Sequence, residues 1–168
     1  MDQRERIRSW VQHYERPLCQ YAARITGDPD RARDVVQDTF LRLCRKGGKL
    51  DKRSVAPWLY RVCRNRALDV VRKEKRMRTL TEDAEARLAA RGADPAVTAQ
   101  RRESLSRILQ AVRQLPGAQE EAIRLKFQHE MSYRQIAQLM HTTENYVGQL
   151  IHMGVKTLRA RLAAGKEI

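Results

Sequence analysis

Asn145, Gln149, His152 and Lys156 follow one another at intervals of four, three and four residues, so on a helix they share one side. Amides such as those of Asn and Gln bond the edge of adenine in pairs, and an ammonium reaches guanine or a phosphate. A second set is cationic: between Arg61 and Arg78 the chain carries eight Arg or Lys against two acids, Asp69 and Glu74. Arg61, Arg64, Asn65, Arg66, Arg72 and Lys73 are of the type that tracks a phosphate backbone, with Trp58 and Tyr60 as candidates to stack on bases. Of these two aromatics, Trp58 is the one expected in the core. Plain solvation is the competing reading of both sets, since a helix with one polar side ordinarily turns it to water. Asp34 and Asp38 put two carboxylates on one helical side, but no third ligand at suitable spacing accompanies them, so no metal is expected.

These residues need helices to hold them. From about Ile7 to Arg78 apolar residues recur at helical spacing, interrupted at Gly27-Asp28-Pro29 and at Lys46-Gly47-Gly48-Lys49, which predicts at least three helices. In the second, Val36, Phe40 and Leu43 form the expected buried stripe, leaving Asp34, Gln37, Asp38 and Leu41 on a more exposed face. The third begins near Pro57, whose missing N–H suits a first helical turn. Thr79 to Gln100 is rich in Ala, Glu, Asp and Thr, lacks aromatics and clusters Glu82, Asp83 and Glu85, and so reads as a linker with one weak helix. Beyond it Leu105, Ile108, Leu109 and Val112 form a stripe ending at Leu115-Pro116-Gly117. Ser132-Tyr133-Arg134-Gln135 has the form of a capping box and opens a short helix. His141-Thr142-Thr143 breaks it, and a longer helix starts at Glu144 or Asn145 with Val147, Ile151, Val155, Leu158 and Leu162 toward the core. A short helix, a tight break and a longer helix with a free polar side is the pattern of a helix-turn-helix.

Composition narrows the partners. Thirty-four Lys and Arg against 20 Asp and Glu give a formal net charge of +14, a bias toward a polyanion. An anionic membrane surface would satisfy the same charge, but no apolar run approaches the roughly 20 residues of a membrane span, so no membrane insertion is expected. The first ten residues have no apolar core of a secretory signal, which predicts a cytoplasmic protein. Cys19, Cys44 and Cys63 are odd in number and far apart, and are expected as small core residues rather than disulfides or metal ligands. His13, His129, His141 and His152 do not cluster with Cys or carboxylates, so neither an enzyme nor a cofactor is expected. Ala, Leu, Arg, Gln and Glu dominate, and the fold class is all-α.

Three ordered blocks resemble a known family. The segment from Asp30 to Leu43, which includes Asp34-Val35-Val36-Gln37-Asp38, resembles region 2.2 of the sigma-70 family in its extracytoplasmic-function (ECF) form. Pro57-Trp58-Leu59-Tyr60-Arg61 through Asp69, followed by Arg72-Lys73, resembles regions 2.3 and 2.4. Leu115-Pro116, Glu120-Glu121-Ala122 and Ser132-Tyr133-Arg134-Gln135-Ile136-Ala137 resemble region 4. The resemblance implies two helical domains, residues 1–78 as region 2 and 101–168 as region 4, with 79–100 as a flexible linker that threads near the polymerase active site and RNA exit channel.

It also implies an RNA polymerase sigma factor that binds bacterial core RNA polymerase, recognises promoter DNA and assists its melting. Asp34, Gln37 and Asp38, with Leu41 on the same face, would meet the clamp helices of the largest polymerase subunit. Trp58, Tyr60, Arg61, Arg64, Asn65, Arg66, Arg72 and Lys73 would meet the minus-ten element. Ser132, Tyr133, Arg134, Thr143, Asn145, Gln149, His152 and Lys156 would meet the minus-thirty-five element. An anti-sigma factor is a further partner expected by resemblance. Leu150 and Met153 stand where the common recognition-helix pattern carries Arg, which predicts weakened phosphate contact upstream. The alternative is a stand-alone helix-turn-helix regulator, which calls for a dimerisation helix; no spare apolar stripe supplies one.

Overall fold

The computed structural model describes residues 2–46, 50–78 and 99–164. Among them are seven helices and no strand: α1 (Gln3–Thr26), α2 (Pro29–Lys46), α3 (Val55–Arg78), α4 (Ala99–Arg113), α5 (Gly117–Phe127), α6 (Tyr133–Met140) and α7 (Glu144–Ala164). They divide into two units, α1–α3 and α4–α7. The linker read at 79–100 falls almost entirely outside the described residues, as do its acidic cluster and Gly47-Gly48-Lys49.

In the first unit the turn at 27–29 is built by three residues in sequence. Gly27 takes the left-handed conformation (φ 70°) that closes α1 and donates its N–H to the Ala23 carbonyl at 2.9 Å. The Asp28 carboxylate accepts the N–H groups of Asp30 (2.8 Å) and Arg31 (3.4 Å), and Pro29, which has no N–H to satisfy, begins α2. Ahead of α3, Asp51 and Ser54 cap each other, the Ser54 N–H donating to Asp51 Oδ1 at 2.8 Å and the Asp51 N–H to Ser54 Oγ at 3.2 Å. The Ser54 hydroxyl also donates to Asp51 Oδ1, and this bond, with the one from the Ser54 N–H, holds the Asp51 carboxyl below the usual carboxylate range.

The core of this unit is Trp10, Leu18, Tyr21 and Ala22 from α1, Ala32, Val35, Val36, Thr39 and Leu43 from α2, and Val55, Leu59, Tyr60, Cys63 and Ala67 from α3. Phe40 is only half-buried, and Thr39 takes the buried place expected of it. Thr39 tolerates this because its hydroxyl donates to the Val35 carbonyl at 2.8 Å. Cys63 is buried as expected and Cys19 is half-buried, but Cys44 is exposed near the end of α2 and is not a core residue. Two ion pairs link α2 to α3, Arg31 with Glu74 and Asp38 with Arg66, and their opposite order along the chain makes the two helices antiparallel.

In the second unit Ala111, Val112, Leu115, Ala122, Ile123, Leu125, Met131, Ile136, Ala137, Leu139, Val147, Leu150 and Ile151 are buried. The stripe expected on α4 is buried only at its C-terminal end: Val112 is in the core, Leu109 is half-buried, and Leu105 and Ile108 are 45% and 42% exposed. Arg124 is buried within α5, where its Nε donates to Glu120 Oε1 at 2.8 Å and its Nη1 to Gln128 Oε1 at 3.3 Å. Gly154 lets α7 approach α5 closely, since a Cβ there would stand 2.4 Å from Ile123 Cδ1.

Candidate functional site

The helix-turn-helix is assembled from α6 and α7. Ser132 Oγ accepts the Gln135 N–H at 3.2 Å while Gln135 Oε1 accepts the Ser132 N–H at 2.9 Å, the reciprocal box expected of this sequence. His141 ends α6 in the left-handed region (φ 55°), and Thr143 starts α7 by accepting the Tyr146 N–H on its hydroxyl at 3.2 Å. Tyr133 on α6 lies against Gly148 of α7, and the Lys126 ammonium stands 5.3 Å from the centre of its ring.

All eight residues expected at the upstream element are exposed: Ser132, Tyr133, Arg134, Thr143, Asn145, Gln149, His152 and Lys156. The last four share the outward side of α7, opposite Val147, Ile151 and Gly154. Leu150 is buried beside them, 6% exposed, so it does not stand on the outward side as a substitute for a cation. Met153, by contrast, is 55% exposed, and Tyr146, seven residues earlier, is 47% exposed. Tyr146 was not among the expected contact residues; its seven-residue interval to Met153, off the core stripe, is the sequence signal that puts it on the same exposed edge.

On α3, Trp58, Arg61, Asn65 and Arg72 lie at intervals of three, four and seven residues and face away from Leu59, Cys63 and Ala67. Trp58 is half-buried, with the Lys46 ammonium 5.3 Å from the centre of its ring. Tyr60 requires a correction: it is 1% exposed and packs edge-to-face on Tyr21 at 5.1 Å, which leaves no ring face for a base. Burial also drives its phenol strongly toward the neutral form. The expectation for the two aromatics is therefore reversed in order, with Tyr60 in the core and Trp58 only half-buried. Arg64 is half-buried, Lys73 is exposed, and Arg72 pairs with Asp69 at 3.5 Å. Arg66 points toward α2, where its Nε stands 2.7 Å from Asp38 Oδ2.

On α2, Asp34, Gln37 and Leu41 are exposed, Leu41 by 56%, opposite the buried Val36 and Leu43. Asp38 is at the edge of this face and is already engaged by Arg66 and, at 3.8 Å, by Arg42. The exposed side of α2 and the cationic helix α3 are thus linked through Asp38, in addition to the Arg31–Glu74 pair.

No helix among the described residues is long and apolar enough to cross a membrane, and no group of three metal-binding side chains is found among them.

Residues 10–77 match the sigma-70 region 2 family and residues 105–158 match the sigma-70 region 4 family. The chain is 27% identical over 150 residues to the ECF RNA polymerase sigma factor SigM of Bacillus subtilis, covering 89% of this chain and 90% of that one. It is 28% identical over 163 residues to SigW of the same organism, with 90% and 86% covered. It is also 28% identical over 160 residues to SigL of Mycobacterium tuberculosis, with 93% and 88% covered. Among solved structures, its fold is similar to that of the sigma factor RpoE of Bartonella quintana in complex with the anti-sigma factor NepR, with a TM-score of 0.70, 21% identity, and 93% and 96% of the chains covered. Two helical units, each matched in order by its own family, leave one assignment: the chain belongs to the sigma-70 family and is a sigma factor of the ECF type.

Proposed function

We propose that this sigma factor binds bacterial core RNA polymerase through α2, engages the minus-ten element through α3 and reads the minus-thirty-five element through α7, while performing no chemistry itself. The observation that carries the reading is that each matched unit keeps one polar helix side out of its own core. Asp34, Gln37 and Leu41 form the docking surface, with Asp38 at its rim. Arg61, Asn65 and Arg72 follow the backbone of the melted strand, and Trp58 is the stacking candidate. Tyr133 and Arg134 position α6 across the phosphates, and Asn145, Gln149, His152 and Lys156 enter the major groove.

Residues 1–78 and 101–168 act as two weak DNA-binding bodies on the tether 79–100. Mounting both on one polymerase raises the effective concentration of the second contact once the first is made. The site of action is the cytoplasm, and an anti-sigma factor that holds the free chain is the expected regulator, by analogy with the complex of the Bartonella protein.

The decisive experiment mixes the purified chain with sigma-free bacterial core polymerase on genomic promoter fragments. Promoter-dependent transcripts are expected, together with weak binding of duplex DNA by the chain alone. A tight, sequence-specific complex formed without polymerase, and no transcripts with it, would mean a stand-alone regulator. For the docking surface, Asp34→Arg is a cleaner probe than Asp38→Arg, because Asp34 is exposed whereas Asp38 already has an internal partner. Loss of core binding with unchanged helical content supports the surface, and unchanged affinity removes it.

A further inference from the structure

Tyr146 and Met153 are large apolar side chains left 47% and 55% exposed on α7. Seven residues apart, they run along one edge of the outward side that also carries Asn145 and Gln149. From Glu144 through Val155 there is no Arg or Lys, and the first cation of the helix is Lys156. That stretch spans about 18 Å, the length of about five base pairs.

A guanine edge is read by the fork of an Arg or by a Lys, neither of which these three turns supply. An adenine edge is read by the paired donor and acceptor of an Asn or Gln amide, and a thymine by apolar contact with its C5 methyl. Asn145 and Gln149 are suited to adenine, and Tyr146 and Met153 to the methyl of thymine. His152 is the other polar group on this side, and Arg134 of α6 is a cation suited to the backbone. Both partners of an A·T pair are therefore matched by a side chain of the right chemistry.

We propose that Tyr146 and Met153 are specificity-determining residues that pack on thymine methyl groups, so that the first three turns of α7 select A·T over G·C pairs. The proposal rests on the reading of α7 as the upstream recognition helix.

The test uses the full chain assembled with core polymerase and a pool of promoter duplexes randomised across the upstream element. A·T pairs are expected to be enriched at the positions that the holoenzyme protects. Replacing single thymines there by deoxyuridine removes only the methyl group and should weaken binding about fourfold, the worth of one buried methyl. With Met153→Ala or Tyr146→Ala the uracil penalty should vanish at the matching position. Because both side chains are exposed, helical content should be unchanged in either variant. Enrichment of G·C pairs, or an equal uracil penalty in variant and parent, overturns the proposal while leaving the upstream role of α7 intact. Absence of any upstream protection removes that role and the proposal with it.

Discussion

Two glycines on α7 should respond in opposite directions to the same substitution. At Gly154 a Cβ would stand 2.4 Å from Ile123 Cδ1, 3.4 Å from Ile123 Cγ1 and 3.6 Å from Gln119 Cβ. Ile123 is itself 5% exposed, so its side chain must turn within a packed core, at a cost of about 1–3 kcal/mol. Alanine returns about 1 kcal/mol of helix propensity, which leaves Gly154→Ala destabilised by about 1 kcal/mol. At Gly148 the nearest atom, Tyr133 Cε2, would be 3.6 Å away, an ordinary contact, so Gly148→Ala keeps most of the propensity gain. For a domain of this size 1 kcal/mol shifts Tm by about 4–8 °C, so the two variants should melt on opposite sides of the parent. The assay is thermal unfolding of the full chain followed by far-UV circular dichroism. Trp10 and Trp58 both lie in the α1–α3 unit, so their fluorescence gives an internal reference that neither substitution should move. If Gly154→Ala proves as stable as Gly148→Ala, α5 does not press on α7 at that point and the packing account of how α7 is aimed is wrong.

Other outcomes follow from single contacts. Asp38→Asn and Arg66→Gln should be non-additive in denaturant unfolding by up to about 1 kcal/mol, the worth of a half-exposed bridge; strict additivity would mean that the two side chains do not interact. Tyr60→Ala should destabilise the first unit by about 3–5 kcal/mol, whereas Trp58→Ala should cost less and register in promoter opening, followed by permanganate oxidation of unpaired thymines. Equal stability losses would return Trp58 to the core. Burial pushes the Cys63 thiol from 9.0 up to about 12, so the folded state holds this proton more tightly than the unfolded one. Its contribution to stability is complete below pH 9.0 and falls as pH rises toward about 12. At pH 8 iodoacetamide should therefore label exposed Cys44 in the native protein and reach buried Cys63 only in denaturant, as mass spectrometry of peptides would show.

Where local chemistry decides the structure, the amino-acid sequence was readable. The Ser132–Gln135 box, the break at 141–143 and the turn at 27–29 each depend on side chains bonding to nearby backbone, and each occurs where the residues indicate. Where burial depends on which helix covers another, periodicity was insufficient. Helix α2 packs against both α1 and α3, so its buried arc reaches Thr39 and leaves Phe40 at the margin, although Phe is the larger apolar residue. The α4 stripe continues past the end of its cover, which leaves Leu105 and Ile108 exposed. Tyr60 and Trp58 sit on opposite sides of α3, and only the position of Tyr21 determines which ring lies inside. For the expected residues on α7, their shared exposed side followed directly from spacing. The engagement of Asp38 by Arg66 did not, since it joins residues 28 positions apart on different helices.

Leu41 in the first unit and Leu105, Ile108 and Phe127 in the second leave apolar side chains at the surface, with Phe127 62% exposed. A net charge of +14 makes such molecules repel one another, which opposes association through these side chains. Bound oligonucleotides, being polyanions, would cancel that repulsion. Turbidity in a titration with them is therefore expected to be greatest near charge neutrality and to clear again in excess DNA, which light scattering would check.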